Sequence, residues 1–179
     1  MIHPIKHFIT ITRHRHRVIV ACFRCGIGLQ GLGHDLSKYT PAEFLPGMRY
    51  YTGYKSPNDT ERRLFGYSSA WMHHKGRNKH HYEYWSDFDI QSGRYAPVPM
   101  PRRYVAEMFC DRVAASQIYL GKEYEPSYPL AYYLNGADRR NIHPKTGEEI
   151  EFLLRMLAER GEVETYAYIR SWVKAGENG

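Results

Sequence analysis

Apolar residues recur at helical spacing along most of the chain. Between Lys6 and Ile27 the apolar positions Phe8, Ile11, Val18, Ala21, Cys22 and Phe23, with no proline after Pro4, predict a first long helix. A short helix then leads into His34-Asp35. Thr40-Pro41-Ala42-Glu43 combines a Thr suited to an N-cap, Pro at the first helical position and Glu two residues on, a capping box. Pro46 is expected to kink or shorten that helix. Tyr51 to Pro57 is a loop, and Asn58-Asp59-Thr60-Glu61 restarts a helix that carries Trp71, reaches His73-His74 and ends near Gly76 and Asn78. After Pro97, Pro99 and Pro101, Arg102 to Leu120 reads as a helix with Val105, Met108, Phe109, Val113, Ala114 and Ile118 on one broad face. Thr146-Gly147-Glu148-Glu149 caps a helix bearing Ile150, Leu153, Leu154 and Leu157; Gly161 ends it, and a last helix runs to about Lys174. Only Arg94 to Met100 passes for a strand. The pattern predicts an all-α fold.

A length of 179 residues fits one domain with a real core, divided here into core helices over about 6–120 and C-terminal helices over 121–179. The net charge of +6 favours an anionic partner such as a phosphate ester, nucleotide or nucleic acid. No stretch approaches the roughly 20 apolar residues that cross a bilayer, so no membrane partner is expected. Val18 to Phe23 is too short for a signal-peptide core, and the odd count of three cysteines suits reduced thiols. The expected compartment is the cytoplasm.

The chemistry lies in the histidines. Ten occur, and the order His14, His34-Asp35, His73-His74, His80-His81 is followed by Asp111 inside the strong helix. Neutral imidazoles and carboxylates are the usual ligands of borderline divalent metals. His14 lies four residues before Val18 and so points toward the apolar side of its helix, whereas His16 points away. The bland alternative is a solvated basic face over Arg13 to Arg17. His34-Asp35 can offer an imidazole and a carboxylate at one point, and a carboxylate can bridge two ions; otherwise it is a capping Asp beside a buried His. Asp111 sits among apolar residues, with Glu107 one turn earlier on the same face; a structural ion pair with Arg112 or Arg103 is the alternative. Lys75, Arg77 and Lys79 mix with the later histidines, as they would at a phosphate site or a nucleic-acid-binding loop.

Two other patterns lack their context. Gly26-Ile27-Gly28-Leu29-Gln30-Gly31 matches G-x-G-x-x-G but follows a helix, not a strand. Cys22-Phe23-Arg24-Cys25 matches C-x-x-C without a second ligand pair.

His14 followed by Arg17-Val18, His34-Asp35-Leu36-Ser37-Lys38 and Asp111 together resemble the HD-domain superfamily of metal-dependent phosphohydrolases, with Ser37 where Gly is common. The similarity covers roughly residues 6 to 120, and the stretch from His34 to Trp85 also resembles a small bacterial family of unknown function. The resemblance implies an HD-like bundle of five or more helices with a metal site in its middle. His14, His34, Asp35 and Asp111 would hold one divalent ion. His73, His74 and one of His80 or His81 would hold a second, with Asp35 between them. The ion would be Mn, Fe, Co, Ni, Zn or Mg. Asp35 and Lys38 would be catalytic, and Lys38, Arg77, Lys79, His80 and His81 would meet the substrate, a nucleotide or other small phosphate ester. The competing readings are a non-catalytic nucleic-acid- or nucleotide-binding protein on a degenerate version of the fold, and a di-iron oxygenase on the same scaffold.

Overall fold

The computed structural model describes residues 2–136 and 140–177. It is predominantly helical. The helices are α1 (Pro4–Arg24), α2 (Gly28–Leu32), α3 (Pro41–Arg49), α4 (Pro57–Phe65), α5 (Ser69–Lys75), α6 (Arg102–Leu120), α7 (Tyr128–Leu134) and α8 (Pro144–Glu177), with short 3₁₀ turns between some of them. A two-stranded antiparallel hairpin, β1 (Ser86–Asp89) and β2 (Arg94–Pro97), precedes α6.

The centre of the bundle is α6. It packs against α1 on one side and α8 on another, and is buried on several faces at once. Val105, Met108, Phe109 and Val113 of α6 meet Val18 and Cys22 of α1, and Ile150, Leu153, Leu154, Leu157 and Ile169 of α8, in one apolar cluster. The three cysteines lie buried in this cluster as free thiols, with Cys25 Sγ and Cys110 Sγ 3.6 Å apart. The C-x-x-C pair is thus core packing. Gly31 lets α2 lie on α1: a Cβ there would stand 2.5 Å from Cys22 Cβ, where nothing could yield. That close approach sets the position of the corner that follows, His34-Asp35.

Several elements depart from the pattern-based expectation. The helix through Trp71 is two helices, α4 and α5, because Gly66 adopts φ +81 and stops α4. The N-terminus of α5 is built separately. Ser68 Oγ accepts from Trp71 N at 3.0 Å, and Glu61 accepts from Ser68 Oγ, Ser69 N and Ser69 Oγ. α1 ends at Arg24 rather than Ile27. Pro46 lies inside α3, which continues to Arg49. Neither expected capping box forms. Thr40 Oγ1 donates to Ser37 O, and Glu43 turns inward. Thr146 lies inside α8 and accepts from Met100 N at 2.9 Å. Gly161 breaks α8 as expected, at φ 75 and ψ 179. The expected strand over 94–100 covers Arg94–Pro97, and its partner Ser86–Asp89 follows from turn chemistry, since Asp89 accepts from Gln91 N and Ser92 N and Gly93 supplies φ +67.

Candidate metal centre

Beside α6, opposite its apolar contacts with α8, the interior is polar. α1 brings His14, the corner after α2 brings His34 and Asp35, α5 brings His74, the following loop brings His80 and His81, and α6 brings Asp111. Their ligand atoms fall into groups no wider than 4.8 Å: His14, His34, Asp35 and Asp111 form one, and Asp35, His74, His80 and His81 another. Such a cluster can hold a metal ion.

Asp35 belongs to both groups. Its Oδ2 lies 3.2 Å from His34 Nε2 and 3.8 Å from His14 Nε2, while its Oδ1 lies 3.1 Å from His74 Nε2 and 3.5 Å from His80 Nε2. The backbone makes this possible. Asp35 has φ 54, the sole non-glycine residue with positive φ among the described residues, and so both it and His34 turn inward at a tight corner. Arg15 of α1 holds that corner, donating from Nε to His34 O at 3.1 Å and from its other end to Leu32 O.

The inward atoms have no hydrogen-bond partners. Nε2 of His14, His34, His74, His80 and His81 and both oxygens of Asp35 are buried with no aligned hydrogen-bond partner among the described residues, Oδ2 meeting only the Lys38 ammonium. Even His14 Nε2 and Asp111 Oδ1, 2.9 Å apart, are not aligned as donor and acceptor. Buried polar atoms are almost always paired, so a convergent set of seven needs a partner of another kind. A cation suits them, since each presents a lone pair to a common interior.

The outer atoms, by contrast, are satisfied by carboxylates. His34 Nδ1 donates to Glu107 Oε1 at 2.9 Å, and His80 Nδ1 lies 3.2 Å from the same oxygen. His74 Nδ1 donates to Glu43 Oε2 at 2.7 Å. A carboxylate only accepts, so each Nδ1 carries a proton, and a cation would take the place of any proton on the inward Nε2. Glu107 is held in turn by Gln30 Nε2, and Gln30 Oε1 accepts from Arg103 Nε at 2.6 Å. Asn78 Nδ2 donates to His74 O and Ser37 Oγ at 2.8 and 2.9 Å.

Electrostatics follow the same layout. Burial opposes the charged form of every group, but the neighbours outweigh it at several. Asp35 carries the His34 imidazolium to a pKa of about 10, and Asp35 likewise raises His74. His34 and Lys38 hold Asp35 well below the usual carboxylate range, and the bonds from His34 and His80 hold Glu107 down at about 2. His14 and His81 go the other way, lowered first by burial. Four carboxylates, Asp35, Glu43, Glu107 and Asp111, thus stay ionised around one small interior.

The expected site residues meet different fates. His14, His34, Asp35, His74 and Asp111 converge, as expected of ligands, and Asp111 makes no ion pair with Arg112 or Arg103. His73 does not join them: it donates to Glu43 Oε1 at 2.7 Å, because successive helical residues diverge by about 100° and only one of the doublet can face inward. His80 and His81, expected at the substrate with one of them a ligand of the second ion, both stand among the ligand atoms. Arg77 donates to His73 O, and Lys79 lies over the rings of Tyr84 and Tyr104, so neither cation reaches the cluster. Lys38 does, with Nζ 2.5 Å from Asp35 Oδ2. Glu43 and Glu107 were missed as site residues. Glu107 is signalled by its place one turn before Asp111, whereas the Thr-Pro-Ala-Glu pattern points Glu43 to a cap.

A family model, "Family of unknown function (DUF5662)", matches residues 3–156. The chain belongs to that family. The match spans every ligand-bearing residue of the cluster and the carboxylates behind it. No curated protein and no solved structure matches the chain. The HD-domain resemblance therefore rests on the residues themselves.

Proposed function

We propose that the protein is a hydrolase of small phosphate esters, nucleotides foremost, that depends on two divalent metal ions held on either side of Asp35. The observation that carries this reading is the convergence of five Nε2 atoms and two carboxylate oxygens, all buried and without hydrogen-bond partners. Geometry supports two ions rather than one, since the ligand atoms fall into two groups that share Asp35. His14, His34, Asp35 and Asp111 would hold the first ion and Asp35, His74, His80 and His81 the second.

Ions bound there would acidify a water and draw charge from a phosphoryl oxygen. The chain's own groups supply the rest. Glu107 and Glu43 fix the imidazole tautomers and orientations. Asp111 and Lys38 are the open edge of the cluster, with side chains 20% and 29% exposed, so a substrate approaches past them. Lys38 stands on that edge, and its flexible stem would let the ammonium turn from Asp35 to a phosphate oxygen. The buried imidazoles, closed off by Trp71 against His74 and His81, keep bulk water from the opposite side.

The test is metal analysis of protein purified without a His-tag, followed by a screen of nucleotides and generic phosphate esters with Mn²⁺, Co²⁺, Ni²⁺, Fe²⁺ and Mg²⁺. Two equivalents of metal with turnover are expected. Metal bound without turnover of any phosphate ester would move the reading to a binding protein, and iron alone with uptake of dioxygen would move it to an oxygenase.

A further inference from the structure

One long surface of the molecule has no part in the metal centre. The outward face of α1 exposes Ile5, Phe8, Ile9, Val20 and Phe23, with Ile5 74% accessible. These positions recur at the spacing of a single helical stripe, opposite the buried His7, Ile11, His14 and Val18. Beside the stripe runs the α2 segment, bonded to α1 through Arg15, with Leu29 85% accessible and Leu32 and Leu36 also exposed. Exposed apolar patches rimmed by polar residues commonly mark a surface that binds something.

The charge on the same helix is one-sided. Over its 21 residues α1 carries Lys6, Arg13, Arg15, Arg17 and Arg24, and no Asp or Glu. Lys6 and Arg13 are exposed, and their side chains have no partner among the described residues. Cations thus flank the stripe and stand in its middle, where Arg13, His16 and Arg17 separate the apolar ends.

That arrangement selects among occupants. A second copy would bring two α1 helices together, and with no Asp or Glu on either helix their cations would face only cations. A partner helix or peptide is best held by a groove, and the hollows between Met100 to Arg102 and the end of α8 and beside the hairpin do not border α1. A nucleic acid would use the cations but gain nothing from exposed Ile5, Phe8 and Ile9. An anionic bilayer surface satisfies all of it: a convex helix, apolar side chains to enter the acyl boundary, and cations at headgroup level. No helix among the described residues is long and apolar enough to cross a membrane; α1 would lie on one.

We infer that α1 is a peripheral docking helix for an anionic lipid surface, with Ile5, Phe8, Ile9, Val20 and Phe23 entering the interface and Lys6 and Arg13 meeting lipid phosphates and carboxylates. The inference is independent of the proposed hydrolysis, since none of these residues touches the metal centre.

The experiment is co-sedimentation of the intact protein with phosphatidylcholine vesicles, with and without phosphatidylserine. Binding is expected only with phosphatidylserine and should fall as salt is raised. Ile5→Ser with Ile9→Ser should weaken it by about tenfold or more. Lys6→Gln with Arg13→Gln should weaken it by about 25-fold, at roughly fivefold per cation. Val163→Ser, an exposed apolar residue on α8, should change nothing. All variants should keep the thermal midpoint of the parent, because every substituted side chain is exposed. The inference is overturned if the protein ignores phosphatidylserine. It is overturned equally if binding survives loss of Ile5 and Ile9, which marks simple charge attraction that a nucleic acid would also satisfy. Self-association abolished by the same variant would assign the face to a second copy.

Discussion

On one side of α6 the interior consists of Phe109, Leu153, Leu154, Leu157 and Ile169; on the other it consists of His34, Asp35, His74, His80 and Glu107. Both regions are as dry as a protein interior becomes. The apolar side is stable for its own sake, since each buried side chain gains free energy on leaving water. The polar side gathers like-charged carboxylates and strips them of water, which is costly unless something compensates. The difference teaches that the two halves answer to different perturbations. The apolar half should respond in stability alone, and the polar half in cation binding first.

The largest effect is expected at Asp111. Asp111→Asn keeps the volume and removes one negative charge from the cluster, so metal affinity should fall by more than about a hundredfold and activity with it. The fold should survive, because the carboxylate's burial is itself unfavourable without a cation. Bound metal and the thermal midpoint measured on one preparation decide the matter: retained metal in a destabilised protein would make Asp111 a structural residue.

Leu154→Ala tests the other half. Leu154 is fully buried, and truncation should cost about 2–5 kcal/mol in denaturant unfolding. Metal bound per folded molecule should stay at the parent's value. A loss of metal stoichiometry would show that the two interiors are not separable.

Glu107→Gln sits at the boundary. The residue touches no inward atom but holds the Nδ1 side of His34 and His80. Metal affinity should drop about 10- to 100-fold, with the ions still bound at saturating concentration. An unchanged affinity by competitive chelation would remove Glu107 from the site.

The smallest effect is a pH slope. His7, buried against Phe44 and Tyr51, has its pKa lowered to about 4, by burial first and by the charge of Lys38 second. In the unfolded chain it titrates near 6.5, so between pH 6.5 and 4 the unfolded state binds the extra proton. This residue's share of stability is therefore lost as pH falls through that window, by at most about 1.4 kcal/mol per unit. His7→Leu should flatten the slope of unfolding free energy there relative to the parent, and equal slopes would exclude His7 as its source.

The legible parts of the site were those tied to helical phase. His14 could be placed because it shares a face with Ile11 and Val18, and Asp111 because no apolar stripe tolerates a lone carboxylate. The histidine doublets were harder, since phase says that one of His73 and His74 faces inward but not which, and His80 and His81 lie in a loop where no period applies. Glu43 is hidden from sequence for a sound local reason. Thr-Pro-Ala-Glu fits a cap, but two imidazoles arriving from α5 bind the carboxylate more strongly than a backbone N–H does. The fold shows the same division. The strong patterns of α1, α6 and α8 predicted their elements, whereas the break at Gly66 and the strand Ser86–Asp89 depend on a backbone angle and a turn rather than on periodicity.

The left-handed corner at Asp35 sets backbone preference against side-chain chemistry. Glycine adopts φ 54 without the steric cost that a side chain bears, roughly 1–2 kcal/mol, and it would also remove a desolvated charge. Asp35→Gly should relieve that backbone cost, yet it also takes the carboxylate from Lys38, His34 and His74, so the stability of the metal-free variant weighs the corner's strain against those ion pairs. A side chain placed where the backbone itself resists one makes this corner a part of the fold whose use is chemical rather than architectural.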